Sequence, residues 1–165
     1  SSVNRLSGKV SEEVTEFMVQ RLIILLSDKY SKNALEACAS NKNPLEDLAD
    51  YVKRVEAVEK LDNSSLIECA NRVLRILKED SKKAVDKSLF VESAEKMLLD
   101  QINTVEDTSD YQKYLSSLIA INPSVQKFFD DVLVMDKDEK IKENRLALLT
   151  LLKKKYEKLT DFSKL

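Results

Sequence analysis

Phe128-Phe129-Asp130-Asp131-Val132-Leu133-Val134-Met135, a polar break at Asp136-Lys137-Asp138-Glu139, and then Ile141 to Leu152 form the stretch whose reading decides the fold. It holds the densest apolar run in the chain. From Asn144 to Leu152 nearly every residue is a good helix former, and no Gly or Pro interrupts them, so a long helix is predicted after the break. At about 3.6 residues per turn, Ile141, Leu148, Leu152, Tyr156 and Leu159 share one stripe, and Arg145 falls inside it. A charge in that stripe needs a partner. Asp130 or Asp131 supplies one if the two helices fold back antiparallel, so Arg145 with Asp130 or Asp131 is the expected structural ion pair.

Working outward, 165 residues suit one domain with a proper core. One Gly and two Pro leave little turn chemistry for hairpins, and 43% hydrophobic with 34% charged residues favours helices joined by short polar loops. The expected fold is all-α, an antiparallel bundle of about eight helices spanning residues 1–165, with a sub-boundary near 83–90 where the helical pattern breaks. In order, a helix is predicted from Ser11 to about Asp28 with Val14, Met18, Leu22 and Leu25 inward and Arg21 beside them in an ion pair. Ser31 caps a short helix to Ser40, and Asn43-Pro44 starts a third carrying Leu45, Leu48, Val52, Val55 and Val58. Asn63 to Ser65 open a helix to about Lys83 with Leu66, Ala70, Val73 and Leu77 inward, and another runs from about Val91 to Val105. Thr108-Ser109-Asp110 caps the helix of Tyr111, Tyr114 and Leu118, and Asn122-Pro123 starts the next.

A net charge of -2 and a pI near 5.4 argue against a general nucleic-acid binder, so any RNA contact must be local. Two places qualify. Arg72, Arg75 and Lys78, with Asn71 and Lys82, form a ridge along the fourth helix, which a solvated face with Glu68–Arg72 and Arg75–Glu79 pairs explains equally well. Lys153, Lys154, Lys155 and Lys158 end the last helix, either as cations favoured by its dipole or as an RNA-facing patch. Tyr111 and Tyr114 read as packing residues before base-stacking ones.

No catalytic residue is assigned and no metal site is expected: there is no His, no Gly-rich loop and no Cys-x-x-Cys. Cys38 and Cys69 read as buried thiols in a reducing compartment. With no run of about 18 apolar residues and no signal-peptide layout, the expectation is a cytoplasmic protein with no membrane partner. A start at Ser1-Ser2 without Met suggests a piece of a longer polypeptide, with a cloning remnant within the first ten residues.

Phe128-Phe129-Asp130-x-Val132-x-Val134-Met135, Asn144-Arg145-Leu146-x-Leu148-Leu149 and Asp161-Phe162-Ser163-x-Leu165 resemble the C-terminus of the bacterial glycyl-tRNA synthetase beta subunit. The likeness continues upstream in the family's order through Phe17-x-x-x-Arg21-Leu22, Pro44-Leu45-x-Asp47-Leu48, Arg54-Val55-x-Ala57, Arg72-Val73-x-x-Ile76-Leu77 and Leu89-Phe90-x-x-x-Ala94-Glu95-x-x-Leu98. Asn71 stands where the family's pattern has a basic residue, Arg75 where it has Asn, and Lys142 where it tends to Arg.

The resemblance implies a DALR-like anticodon-binding domain, a fragment with no cofactor and no catalytic centre of its own. It further implies a parent glycine–tRNA ligase that uses ATP and Mg, whose partners are glycine tRNA, the remainder of the beta subunit and the alpha subunit. It makes Asn144 and Arg145 candidate RNA contacts beside Arg72, Arg75, Lys78, Lys153 and Lys154. The rival reading is a non-catalytic helical scaffold that docks proteins. Of the two duties open to Arg145, burial against a carboxylate is expected over contact with the anticodon loop.

Overall fold

The computed structural model describes residues 2–165 and forms, among these, an all-α bundle without strands; Ser1 lies outside the described residues. Seven α-helices follow in order: α1 Ser2–Leu26, α2 Lys32–Ser40, α3 Leu48–Glu59, α4 Ser64–Ile76, α5 Ser93–Ile102, α6 Tyr111–Asp131 and α7 Glu139–Leu159. Single 3₁₀ turns at Lys87–Leu89 and Phe162–Lys164 complete the described structure. The caps sit where short polar side chains stand ready to satisfy the orphan N–H groups of a first turn. Ser31 accepts from the Ala34 amide, Asn63 from Leu66, Asp110 from Lys113, and Asp138 from Lys140 and Ile141.

α6 is the hub of the bundle, packing against α3, α4, α5 and α7, while α1 touches the body through α2. One continuous core runs from Ile23 to Phe162 and includes Leu35, Tyr51, Leu66, Leu98, Leu118, Phe128, Leu148 and Leu152. Each such side chain contributes on the order of 1.5–3 kcal/mol by leaving water.

Four boundaries differ from expectation. Asn122-Pro123 does not start a helix; it lies inside α6, which therefore unites two predicted helices and gives seven where about eight were expected. The apolar stripe continues without a break through Leu115, Leu118, Ile121, Val125 and Phe128, and burying it on both sides of the proline outweighs the lost N–H. α3 begins at Leu48 under an Asp47 cap, leaving Pro44 in a preceding turn with Leu45 and Leu48 exposed.

α4 ends at Ile76, not near Lys83: Leu77 turns out of the helix to bury itself, and the charged residues beyond have no apolar face to pack. α1 begins earlier than Ser11 and packs through Val19, Leu22, Ile23 and Leu26, so the expected inward residues Val14, Met18 and Leu25 are exposed together with Val10, Phe17 and Ile24. The last helical turns of α1 reach the body, and its second apolar face points away.

Residues 77–92 run as an irregular connection along α7. The Ser81 amide donates to Thr150 Oγ1 at 3.0 Å, and Asn144 exchanges both hydrogen bonds with the Asp86 backbone, at 2.7 and 2.9 Å.

Candidate nucleic-acid interface

Two arginines with similar surroundings in the sequence have opposite fates in the fold. Arg145 is buried at 4% exposure, but its partners are Glu95 and Asp136, not Asp130 or Asp131 as the sequence reading expected. Its Nε donates to Glu95 Oε1 at 2.9 Å, and one terminal nitrogen donates to the Leu133 carbonyl at 2.7 Å and to Asp136 Oδ2 at 3.2 Å. The physical reason is that α7 packs on α5 at this level, so the carboxylate on the apolar stripe of α5 meets the guanidinium on the stripe of α7. Glu95 is fully buried, and its second oxygen accepts the Val91 and Glu92 amides, closing the start of α5. Asp131 pairs with Lys127 at 2.8 Å, and Asp130 stays exposed.

Asn144 is equally occupied, with both ends of its amide on the Asp86 backbone, so the polar groups of Asn144 and Arg145 are both engaged within the fold. The lysines ending α7 are also largely engaged. Lys153 pairs with Asp80 and Glu157, Lys155 donates to the Val105 carbonyl at 3.0 Å, and Lys158 pairs with Asp107 above the Tyr114 ring. The hydrogen bond that Lys153 donates to Asp80 raises the Lys153 pKa, with burial opposing it. Lys154 is exposed and forms no ion pair among the described residues. Tyr111 and Tyr114 are buried, packed edge to face, with hydroxyls on Asp50 and on the Lys155 carbonyl, so they offer no stacking surface.

The α4 ridge is different. Leu66, Cys69, Ala70 and Val73 anchor α4 to the core, which leaves Glu68, Arg72 and Arg75 on its outer side facing the end of α6. The expected Glu68–Arg72 and Arg75–Glu79 ion pairs are not formed among the described residues. Arg72 instead lies over the Phe129 ring, its guanidinium carbon 4.3 Å from the centroid. Phe129 is held edge to face against fully buried Phe128, at 5.5 Å. Glu68, Arg72, Arg75, Gln126, Phe129 and Asp130 border a cleft of about 550 Å³ between α4 and α6.

Asn71 takes no part as a donor there, because its amide is held by the Ile67 and Phe162 carbonyls at 3.0 and 3.3 Å. Lys78 is exposed but lies beyond the end of α4, so the predicted ridge is shorter than expected. The larger groove, about 740 Å³ between α1 and α2, has Glu12, Glu16 and Glu36 in its wall against Lys42 and Lys164, a poor match to phosphate.

One charged site escaped sequence reasoning. Arg54, 1% exposed, donates to Asp50 at 3.0 Å and to the Cys38 and Leu159 carbonyls at 2.8 and 3.3 Å. Burial pushes the Asp50 carboxyl up, but hydrogen bonds from Tyr111, Arg54 and Lys42 prevail and hold it below its ordinary value. The spacing of Asp50 and Arg54, four apart beside Tyr51 and Val55, was the available signal. Burial raises the thiol of Cys38 to about 11 and also raises Cys69, which disfavours the thiolate form of both. No described helix is long and apolar enough to cross a membrane.

The model of the DALR anticodon binding domain matches residues 66–160, which takes in the cleft and all of α5 to α7. The chain belongs to the DALR anticodon-binding domain family. Among curated proteins it is similar to the glycine–tRNA ligase beta subunits of Geobacter sp. (strain M21), 31% identical over 96% of this chain and 24% of the relative, and of Photobacterium profundum, 36% identical over 95% of this chain and 25% of the relative. The corresponding protein of Geobacter metallireducens is 31% identical over 100% of this chain and 25% of its own length. The chain thus spans about a quarter of the length of these relatives.

Proposed function

We propose that this chain recognises the anticodon region of a glycine tRNA as one domain of a glycine–tRNA ligase beta subunit. In that reading the parent enzyme joins glycine to its tRNA using ATP with Mg, in the cytoplasm, together with the rest of the beta subunit and an alpha subunit. This domain contributes recognition and no chemical step. The observation that carries the proposal is the α4–α6 cleft within the family match, where Arg72 and Arg75 stand exposed and without ion pairs among the described residues. With a net charge of -2, contact with RNA has to be made through such a local feature.

The test is a binding titration of the chain with glycine tRNA across a salt series. Affinity should fall steeply with salt and fall further when the anticodon is altered; binding indifferent to the anticodon would refute recognition there. Glycine-dependent exchange of pyrophosphate into ATP by the pure chain would refute the purely recognising role. The exposed face of α1, with Val10, Val14, Phe17, Met18, Ile24 and Leu25, favours a second role in docking protein. Loss of tRNA binding on reversing Arg72 and Arg75, with none on replacing that α1 face by polar residues, separates the two roles.

A further inference from the structure

We propose that the α4–α6 cleft is a subsite for a single unpaired nucleobase bearing an exocyclic amine, stacked on the open face of the Arg72 guanidinium; the inference rests on the RNA-binding reading above. A guanidinium plane is a stacking platform for splayed-out bases, and its usefulness depends on being held flat. Phe129 does the holding: Arg72 lies 4.3 Å over its centroid, and the ring is itself fixed against Phe128. Arg72 thus rests on the ring and borders the cleft.

The charge pattern selects a base over a phosphate. Arg72 and Arg75 are matched in the cleft by Glu68 and Asp130, so a phosphate entering it would meet two carboxylates along with the two cations. A neutral base has the complementary pattern, with ring acceptors for Arg75 and an amine donor for a carboxylate. Gln126 adds an acceptor, because its Nε2 is occupied with Ser65 Oγ at 2.8 Å and its carbonyl oxygen is left over. A volume of about 550 Å³ lies within the range of small-molecule pockets. Uracil carries a carbonyl in place of the amine and would set an acceptor against a carboxylate, with only its ring N–H left to donate.

The experiment measures fluorescence anisotropy of anticodon stem-loops of glycine tRNA with the 165-residue chain, using intact loops, loops abasic at each anticodon nucleotide in turn, and loops with uracil at the sensitive position. The variants are Arg72→Lys, which keeps the charge and loses the plane, and Phe129→Leu, which removes the support. Wild type should lose about tenfold or more at one abasic position and a similar factor with uracil there. Arg72→Lys and Phe129→Leu should bind the intact loop as weakly as wild type binds that abasic loop, with the abasic penalty gone and the salt dependence unchanged. Wild-type behaviour of Arg72→Lys on every loop, or an equal loss on intact and abasic loops, would overturn the subsite while leaving RNA recognition standing. Failure of the wild-type chain to bind any stem-loop or the whole tRNA would overturn both.

Discussion

Arg145 and Arg72 are the same side chain placed in two regions of one bundle, and they differ in how far their donors are committed to the fold. Around Arg145, where α5 and α7 meet, two carboxylates and a carbonyl take up the guanidinium, and 4% of the residue is exposed. At the edge of α4 and α6, Arg72 is held by a ring and has no ion pair among the described residues. An arginine can serve a ligand only to the extent that its donors are not already committed to the fold. The four lysines that end α7 lie between these extremes, with three of them engaged by neighbours.

The largest expected effect lies at the buried node. Arg145→Ala should destabilise the fold by about 3–5 kcal/mol, because Glu95 is left as an uncompensated buried carboxylate. Urea unfolding measures it, and a loss under about 1 kcal/mol would mean the node is less dry than described. Asp130→Asn, by contrast, should leave the same curve within about 0.5 kcal/mol, since Asp130 does not touch Arg145.

Next in size is Asp50→Asn, which should cost about 1.5–3 kcal/mol near neutral pH through weakened hydrogen bonds from Arg54 and Tyr111. The Asp50 carboxyl titrates below its unfolded value. Its contribution is therefore present above the ordinary Asp pKa, about 3.9, and is lost as the pH falls through the lower folded value. Thermal melts from pH 6 to pH 2 should show the acid decline of wild type reduced in Asp50→Asn; parallel curves would remove this group from the acid response.

The fold was legible because capping residues and apolar spacing report local physics. Ser31, Asn63, Asp110 and Asp138 each cap the helix that the sequence places after them. Pro123 misled because local punctuation was overruled by an apolar stripe that tertiary packing buries on both sides. Val14, Met18 and Leu25 misled for the opposite reason: periodicity shows that α1 has an apolar face but not which of its two faces meets the body. The candidate cleft was half legible. Arg72 and Arg75 were found by charge, yet the ring beneath Arg72 comes from α6, and no sequence spacing announces that meeting. The partner of Arg145 was within reach, because Glu95 lies on a stripe with Leu98 and Ile102, an unpaired acid among apolar residues awaiting a base.

Smaller effects refine the contrast. Arg72→Ala should change stability by only about 0.5–1 kcal/mol, the size of an exposed cation–π contact, while weakening tRNA binding. Differential scanning calorimetry paired with a binding titration tests both halves, and a large fall in Tm would move Arg72 into the structural class with Arg145. Lys154→Ala should be smaller still, within about 0.5 kcal/mol of wild type and without any dependence on the anticodon sequence.

The most direct test of the division between the two regions is an amide NMR titration of the chain with the anticodon stem-loop of glycine tRNA. The α4–α6 assignment predicts that the largest shifts fall on residues 68–75 and 126–130, with the end of α7 little changed. Shifts centred on Lys153 to Lys158, with Arg72 and Phe129 undisturbed, would contradict it.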